Sequence, residues 1–384
     1  MLCHWRILAA MLLCALPLAG KAAPQTACAH LAHLVDAAPA GPVFLASYPT
    51  ADPGPLAGAA FLYDNAAAAV ALVGCGEKSR AERIGQAILL SLDNDRFWHD
   101  GRLRNAYAAG AAGQKPVKLS GWWDKTQNRW LEDRYQVGSD VGNMAWAMLA
   151  LLALDHPDAA AKIGNWVAQE KDRRGAGGFT GGALGHEPSP EARKWKSTEH
   201  NTDLAAAFTL LADRTGDSKW RDLAAQARHF VDAMWGADCA CFAAGTTEDG
   251  VTLNPTLSLD AQVWPLLALP GVKDRHSAVR VTIDARLATQ GGYAYGEAKD
   301  GIWTEGTAQM ALLEGNQALR TVIERQRSPD GGYYATSAAQ LPTGYGLESD
   351  PSKPRLYFRL PHLGAAAWAA LAETGFNPFS LAKQ

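Results

Sequence analysis

Several acidic side chains stand at the beginnings of apolar, helix-like segments of this chain. The densest group lies in KSTEHNTDLAAAFTLLAD, residues 196–213, where Glu199, His200, Asn201 and Asp203 precede or open an apolar run. A helix N-terminus needs only one short polar side chain as a cap, so this group exceeds what capping requires. Their spacing of four residues puts Glu199 and Asp203 on one face of a helix.

Carboxyl groups at other segment starts are expected to meet this pair. They are Asp64, Asp140, Asp260 and Glu305. A carboxylate near a helix N-terminus gains about 0.3–1 kcal/mol from the helix dipole, and we attribute Asp140 to that effect. Like charges that approach one another cost energy unless chemistry uses them. We therefore interpret the remaining carboxyl groups as a reaction site.

Glycoside hydrolysis is the chemistry that fits two carboxyl groups in one cleft. One group must be protonated to donate to the leaving oxygen, and the other must be ionised to activate water or to attack. Glu305 lies in GIWTEGTAQ, close in sequence to Trp303, Tyr293 and Tyr295. An aromatic wall disfavours the ionised form, so Glu305 is the predicted general acid.

A polar setting predicts the opposite protonation state for Glu199. His200 and Asn201 follow it directly, and Arg193 and Lys196 come shortly before it. Such neighbours favour an ionised carboxylate, so Glu199 is the predicted base. Asp64, in FLYDNA, is the predicted substitute for either role.

The segments before and around these carboxyl groups are rich in side chains that bind sugars. Aromatic rings offer an apolar face to a pyranose, while amide, guanidinium and carboxylate groups bond its hydroxyls. The predicted substrate-binding residues are Tyr63, Arg104, Asn105, Trp122, Trp123, His200, Asn201, Asp203, Asp260, Trp303 and Tyr334. The expected ligand is a polysaccharide or oligosaccharide, and no metal site or cofactor is predicted.

The elements that carry the carboxyl groups share one pattern. Six segments rich in Ala and Leu begin beside a polar residue and end at a turn signal, starting at Asp64, Asn143, Asp203, Asp260, Glu305 and His362. Each is apolar on most of its circumference, which is typical of a helix buried on all sides. Amphipathic segments follow four of them, and TACAHLAHLVDAA near the N-terminus can pair with the last.

The connections between these segments alternate in length. Links from an apolar segment to its amphipathic partner are short, and links to the next apolar segment are long and rich in functional residue types. This alternation predicts an all-α fold, an (α/α)6 toroid with its long loops on one face and all six polar helix starts around one cleft. We predict a single domain over residues 23–384, with little strand beyond short hairpins in the loops.

The N-terminal segment is predicted to be a signal peptide, residues 1–22. Arg6 precedes the apolar run ILAAMLLCALPLAG, which is shorter than the ~20 residues that a membrane span requires. Without this segment, 34 Lys and Arg oppose 39 Asp and Glu, a net charge of −5. The mature protein is therefore expected to be periplasmic or secreted, monomeric and without a membrane span, and nucleic acid is not an expected partner.

Four cysteines remain after the predicted signal peptide, in a compartment where disulfides persist. Cys28 opens the N-terminal helix and Cys75 ends the first apolar helix, so both lie on the short-turn face. We predict a disulfide between them. Cys239 and Cys241 are expected to be free or only loosely oxidised, because a bond between them closes a strained ring. They lack the spacing of a zinc site.

The phrases WTEGTAQ and NTDLAAAFTLLAD, with six Ala-rich helices that have acidic starts, resemble the six-hairpin glycosidase superfamily. This superfamily includes (α/α)6 hydrolases of family 8, which carry a Ser-Glu-Gly helix start and a Thr/Ser-Asp-x-Asp-Leu helix start. Residues 304–306 (Thr-Glu-Gly) and 202–204 (Thr-Asp-Leu) are similar to these, although here the Glu-Gly phrase opens the fifth helix instead of the first. The resemblance implies a toroid glycoside hydrolase.

Three other interpretations stay open at the level of sequence. A polysaccharide lyase could use Tyr63, Tyr135, His200 and Arg104, but the acidic helix starts and the negative net charge disfavour it. A glycan-binding toroid without catalysis is the second alternative. A terpene-cyclase-like toroid is the third, because QRSPDGGYY resembles a repeated phrase of those proteins, yet it occurs once and no DxDD stretch is present.

Overall fold

A computed structural model describes residues 26–348 and 350–384. The predicted signal peptide, with Cys3 and Cys14, lies outside the described residues. The helices are α1 Ala27–Ala37, α2 Leu62–Gly74, α3 Lys78–Asp93, α4 Val141–Ala153, α5 Pro157–Val167, α6 Thr198–Thr215, α7 Ser218–Ala233, α8 Leu259–Ala268, α9 Val272–Arg275, α10 Val279–Leu287, α11 Thr304–Glu314, α12 Gln317–Glu324 and α13 Leu363–Thr374.

The six predicted apolar helices form a closed cycle. Helices α2, α4, α6, α8, α11 and α13 each pack against the next, and α13 returns to α2. Nearly every residue of these helices is buried, because they are apolar around the whole circumference. Their alanines leave little side chain between neighbouring backbones. The helix-rich class and the cyclic order of the inner helices therefore agree with the sequence prediction.

An outer layer of amphipathic helices covers this cycle. Helices α3, α5, α7 and α12 each pack on the inner helix that precedes them, and α1 packs on α13 and α2, as predicted. In α7 the buried residues are Trp220, Ala224, Ala227, Phe230 and Val231, the single face expected of a surface helix. The outer partner of α8 differs from the prediction. It consists of two short helices, α9 and α10, which pack on α8 and which the sequence analysis did not predict.

The long connections contain short antiparallel strand pairs, as predicted. The strands are β1 Val43–Phe44, β2 Ala59–Phe61, β3 Ala106–Ala108, β4 Gly110–Ala111, β5 Trp122–Asp124, β6 Arg129–Leu131, β7 Ser139–Asp140, β8 Gly182–Leu184, β9 Glu191–Arg193, β10 Trp235–Gly236, β11 Cys241–Phe242, β12 Gly245–Thr246, β13 Leu253–Asn254, β14 Ala288–Thr289, β15 Gly292–Tyr293, β16 Gln340–Gly346, β17 Pro354–Phe358, β18 Phe376–Asn377 and β19 Ala382–Lys383. The longest hairpin, β16–β17, lies between α12 and α13.

Within residues 26–348 and 350–384, no helix is long and apolar enough to cross a membrane.

Two disulfides are present in the described part of the chain. Cys28 and Cys75 are bonded, with Cα atoms 5.7 Å apart, so the predicted pairing is confirmed. The expectation that Cys239 and Cys241 stay free is wrong, because they are bonded to each other with Cα atoms 5.2 Å apart. Ala240, between them, has a left-handed backbone (φ 47°), and this bend brings the two cysteines within the ~4.4–6.8 Å that a disulfide spans.

Candidate active site

The starts of the six inner helices contribute the polar groups of one site. Each inner helix places an acidic or imidazole side chain in its first turn or at the residue before it: Asp64 (α2), Asp140 (α4), Glu199 (α6), Asp260 (α8), Glu305 (α11) and His362 (α13). Helix α6 begins five residues before its predicted start, so Glu199 lies inside its first turn. The predicted convergence of the helix starts is therefore observed for five carboxyl groups and one histidine.

His362 joins two of these carboxyl groups. Its Nε2 lies 3.3 Å from Asp64 Oδ2, and its Nδ1 lies 3.3 Å from Glu305 Oε1. Burial alone lowers the pKa of His362, but the charges and hydrogen bonds of Asp64 and Glu305 outweigh burial and raise this pKa to about 10. The ring is therefore an imidazolium at neutral pH that faces a carboxyl group at each nitrogen, and the Ala365 N–H also lies 3.3 Å from Nδ1. Tyr48 stacks on it with ring centroids 4.4 Å apart.

Close approach within this group depends on a glycine. A Cβ atom at Gly364 would lie 2.8 Å from Asp64 Oδ1, 2.9 Å from His362 Cε1 and 3.1 Å from Glu305 Oε2. All three distances are shorter than ordinary contacts of a Cβ atom. The absence of a side chain at this position therefore allows the three charged groups to meet.

A tyrosine supports Glu305 from the other side. The Tyr63 hydroxyl donates to Glu305 Oε2 at 3.1 Å and accepts from the Trp368 indole N–H at 2.7 Å. Burial, followed by the charge of Glu305, raises the pKa of Tyr63 well above its usual value, which keeps the hydroxyl protonated as a donor. Glu305 thus accepts a hydrogen bond from the Tyr63 hydroxyl at Oε2, while its Oε1 lies 3.3 Å from the His362 imidazolium without a hydrogen bond. Both groups stabilise a negative charge on it.

The aromatic wall predicted beside Glu305 is only partly present. Trp303 is buried, with 2% of its surface exposed, and packs edge-on against Tyr295 at 4.9 Å. Tyr293 does not belong to this group, because its hydroxyl bonds Asp284 on the outer helix α10. The surroundings of Glu305 are therefore more ionic than the sequence indicated.

Glu199 is half-buried beside a second carboxyl group, Asp260, and a cation, Arg355. Burial is the largest cause that raises its pKa well above the usual value, and the charge of Asp260 adds to it, while Arg355 opposes the shift. Burial also raises the pKa of Asp260, which accepts the Ala261 N–H at 2.8 Å. The pKa of Glu199 is therefore shifted in the direction opposite to the sequence prediction.

Asp203 lies one helical turn below Glu199. It is 1% exposed, and its Oδ1 has no hydrogen-bond partner among the described residues. Burial, followed by the charges of Glu199 and Asp260, raises its pKa well above the usual value, and a contact with the Trp146 indole opposes this. These surroundings favour the protonated form of Asp203.

Asp140 is a site residue that the sequence analysis assigned to the helix dipole alone. Burial, followed by the charge of Glu348, raises its pKa to about 8 against the opposing charges of Arg355 and Arg193. Its side chain makes no capping hydrogen bond. The dipole at a helix N-terminus favours an ionised carboxylate, so the dipole alone does not account for a shift of the pKa in this direction.

Hairpin β16–β17 brings a cation into the site that the sequence analysis missed. Arg355 lies on β17, and its charge acts on Asp140, Glu199, His200 and Asp260. Its side chain is solvent-accessible and makes no ion pair or hydrogen bond with the described residues. Burial lowers its pKa, but the surrounding tyrosines and Glu199 raise it well above its usual value. Arg355 is therefore a charged donor group in the cleft whose side chain has no partner among the described residues.

Three predicted substrate-binding residues are structural instead. Arg104 is 0% exposed and bonds Asp95 through two nitrogens, at 2.7 and 2.8 Å, and Glu187 at 3.0 Å. Asn105 is also 0% exposed, and its Oδ1 accepts the N–H of Asp140 at 2.7 Å. Neither side chain can reach a ligand, so both predictions are wrong. Their polar groups hold loops together around buried backbone.

Asn201 is the third predicted substrate-binding residue that has a structural role. Its side chain is 0% exposed, accepts the Phe179 N–H at 2.9 Å and donates to the Phe179 and Ser197 carbonyls. His200, next to it, is half-buried beside Trp195, and burial lowers its pKa to about 4. It is therefore neutral, and its Nδ1 has no partner among the described residues.

The remaining predicted binding residues lie on loops. Trp122 and Trp123 form part of hairpin β5–β6, and Trp123 is 55% exposed. The half-buried ring of Tyr334 lies under the guanidinium of Arg359, with 4.1 Å from Arg359 Cζ to the ring centroid. Among residues 26–348 and 350–384, no group of three His, Cys, Asp or Glu side chains could hold a metal ion.

Comparison with known proteins gives a consistent class of fold. No family model and no curated protein matches the chain. A glycosidase variant in complex with glucose shares 14% identity, with 91% of this chain and 95% of that chain covered at a TM-score of 0.56. A family 76 glycoside hydrolase from a bovine Bacteroides thetaiotaomicron strain shares 11%, with 90% and 76% covered at 0.57.

An alpha-amylase from Clostridium perfringens shares 9% identity, with 90% of this chain and 96% of that chain covered at a TM-score of 0.57. At such identities the likeness establishes a shared fold. The chain therefore has the fold of the six-hairpin toroid glycoside hydrolases, and the resemblance stated from the sequence is confirmed at that level.

Proposed function

We propose that this protein is an exported glycoside hydrolase built on an (α/α)6 toroid, which cleaves a polysaccharide or its oligosaccharides in the cleft at the inner-helix starts. One observation carries the proposal: the cleft places its two glutamates in opposite surroundings. Burial and the charge of Asp260 raise the pKa of Glu199, while an oxygen of Glu305 lies 3.3 Å from the His362 imidazolium. Glycoside hydrolysis requires one carboxylic acid and one carboxylate.

The surroundings support roles opposite to those predicted from the sequence. Glu199 is the general acid, and its proton passes to the glycosidic oxygen as the bond to the anomeric carbon breaks. Glu305 is the carboxylate that takes a proton from the attacking water or attacks the anomeric carbon itself. Asp64 shares the His362 cation with Glu305 and is the second candidate for the carboxylate role.

Groups of the cleft that have no protein partner are proposed to bind the sugar. Arg355 presents five N–H donors, Asp203 and His200 each have an unpartnered atom, and the buried Trp303 indole N–H has none either among the described residues. A buried polar atom without a partner is costly, so a hydroxyl-rich ligand or water must satisfy it. Asp260 lies beside Glu199, and the Tyr63 hydroxyl bonds Glu305. These two residues are therefore proposed to contact the ligand at the reacting bond.

The substrate class is proposed by analogy of fold. The structures similar to this chain include an alpha-mannanase, an alpha-amylase and a glycosidase in complex with glucose, so a polymer of neutral hexoses is the first class to test. Export to the periplasm or the medium is proposed from the N-terminal segment, and two disulfides agree with an oxidising compartment. A monomer that needs no cofactor is proposed.

A polysaccharide lyase is the second candidate, because Arg355 lies among tyrosines. In such enzymes an arginine neutralises a uronate and a tyrosine removes a proton. However, burial raises the pKa of Tyr295 and Tyr357 well above the usual value, which opposes their use as bases. The arrangement therefore supports hydrolysis over elimination.

The experiment is an activity screen of the mature protein against soluble mannan, starch, cellulose derivatives and uronate-containing polymers. New reducing ends without ultraviolet absorbance from unsaturated sugars are expected. Unsaturated products would support the lyase instead. Binding without any cleavage would support a glycan-binding toroid.

A further inference from the structure

Hairpin β5–β6 carries two exposed indole rings outside the carboxyl cluster. Trp123 and Trp130 are paired directly across the antiparallel ladder, so their side chains lie on the same face of the hairpin. They are 55% and 45% exposed. Large apolar side chains that remain exposed together on a soluble protein mark an interaction surface more often than chance.

The hairpin holds these rings in fixed positions. Its turn is closed by Asp124, whose carboxylate accepts the N–H groups of Thr126 and Gln127, each at 2.8 Å. The Trp130 indole lies against Gly121, where a Cβ atom would be 2.5 Å from its Nε1. Lys118 Nζ lies 5.3 Å from the centroid of the same ring. Trp130 is thus placed in advance of any ligand, which lowers the entropic cost of binding.

A chain of ion pairs ties this hairpin to the body of the protein. Glu132, just after β6, accepts two hydrogen bonds from Arg96, at 2.6 and 2.8 Å. Arg96 also bonds Glu187, which bonds the buried Arg104. The Tyr135 hydroxyl, a few residues further on, accepts a hydrogen bond from the side-chain amide of Asn143, in the first turn of α4, at 3.3 Å. The hairpin therefore rises directly beside the proposed cleft.

The surface beside Trp130 has the mixed character of a sugar-binding site. A cavity of about 250 Å³ is lined by Trp130 and by the hydrogen-bonding side chains of Arg96, Gln114, Lys118 and Glu132. A pyranose offers an apolar C–H face and a rim of hydroxyls, which match an indole ring edged by charged and amide groups. A protein-docking patch would have a more continuous apolar core.

We propose that Trp123 and Trp130 form a second glycan-binding surface, separate from the carboxyl cluster, which holds a polysaccharide chain beside the cleft. This inference rests on the proposed function for the identity of its ligand. The surface contacts sugar units that are not being cleaved. It therefore contributes to the affinity for polymers and not to the hydrolysis of short oligosaccharides, which do not reach it.

The test compares the wild type with the double variant Trp123→Ala, Trp130→Ala. Affinity for soluble mannan and soluble starch is measured by retardation in polysaccharide-containing gels, and hydrolysis is measured on the polymer and on its trisaccharide. We expect retardation to weaken at least ~10-fold, KM for the polymer to rise, and trisaccharide hydrolysis to stay within twofold. Val281→Ala, at another exposed apolar residue on α10 (71% exposed), is the matched control and should change nothing.

Three results would overturn the proposal: unchanged polymer affinity, equal losses on polymer and trisaccharide, or a wild type that binds no polymer of the screen. The replacement Trp→Phe at both positions should retain part of the affinity, because a flat ring remains, and unaltered thermal unfolding excludes misfolding. Failure of the proposed function would give a different result. The wild type would then bind the polymer through the two indole rings but would cleave no substrate of the screen.

Discussion

The imidazole ring of His362 lies between two carboxyl groups, with Nε2 3.3 Å from Asp64 Oδ2 and Nδ1 3.3 Å from Glu305 Oε1. Glu199 has different surroundings, because burial and the charge of Asp260 raise its pKa well above the usual value. The expected outcomes below follow from this difference between the two glutamates.

The alkaline limb of the pH–rate profile should depend on Arg355. Its positive charge lowers the pKa of Glu199, so Arg355→Gln should raise that pKa and move the loss of kcat/KM to higher pH. KM should also rise if the guanidinium bonds the substrate. Arg359, an exposed residue whose guanidinium lies over the Tyr334 ring, provides the control. The variant Arg359→Gln should leave the alkaline limb at the same pH as in the wild type. A limb that does not move would contradict an acid role for Glu199.

Stability should fall in alkali because of His362. Its pKa is about 10 in the folded protein and about 6.5 when unfolded, so its contribution is complete below pH 6.5 and disappears as the pH rises through 10. His362→Gln should remove this dependence and, by leaving two buried carboxylates without a counter-charge, lower the free energy of unfolding at pH 7 by about 3 kcal/mol. Urea unfolding at pH 6, 8 and 10 measures both.

The exposed His229→Gln variant is the control for that experiment and should keep the wild-type dependence. A wild type equally stable at pH 7 and pH 10 would show that His362 is not protonated between the carboxylates.

Gly364→Ala should damage activity more than folding. The added methyl group would meet Asp64, His362 and Glu305 at 2.8–3.1 Å and push the charged groups apart, with an expected loss of about 10- to 100-fold in kcat. Gly113→Ala is the matched control, because a Cβ atom there meets nothing within 4 Å. Full activity of Gly364→Ala would mean that the spacing of this group is not needed.

Arg104 should matter for stability and not for catalysis. Arg104→Ala leaves Asp95 buried without its partner (side chains 0% and 2% exposed) and should lower the free energy of unfolding by about 3–5 kcal/mol. The exposed pair of Arg134 and Glu191 is the comparison, and Arg134→Ala should cost less than ~1 kcal/mol. At a temperature where it stays folded, Arg104→Ala should keep the wild-type KM; a large rise would restore the original prediction of ligand binding.

Local sequence patterns were sufficient to predict the inner helices and some residues of the candidate site. Apolar runs rich in Ala predict buried inner helices and place Asp64 and Glu305 at their starts, whereas Glu199 lies four residues before the predicted start at Asp203. Even Cys28 and Cys75 could be paired from helix direction. The split outer partner α9–α10 escaped because its nine-residue second helix has no clear amphipathic pattern.

Residues whose role depends on distant partners could not be assigned. Arg104 is polar and loop-borne like a ligand-binding residue, but it is neutralised by Asp95 and by Glu187, nine and 83 positions away in sequence. Arg355 reaches the cleft through a strand in a long hairpin, where no helical phase indicates its direction. His362 was visible as the start of the sixth helix, and its equivalence to the acidic starts of the other five was the signal that could have identified it.

Release of reducing ends by Glu199→Gln and Glu305→Gln, on the polymer that the wild type cleaves, tests the central claim most directly. Each variant keeps the size of the side chain, so thermal unfolding should remain cooperative, and each should lower kcat/KM at least ~100-fold, the usual scale for lost acid–base assistance. If only Glu305→Gln stays active, Asp64→Asn becomes the test of the carboxylate role. Wild-type turnover by both glutamine variants would contradict hydrolysis by this pair of glutamates.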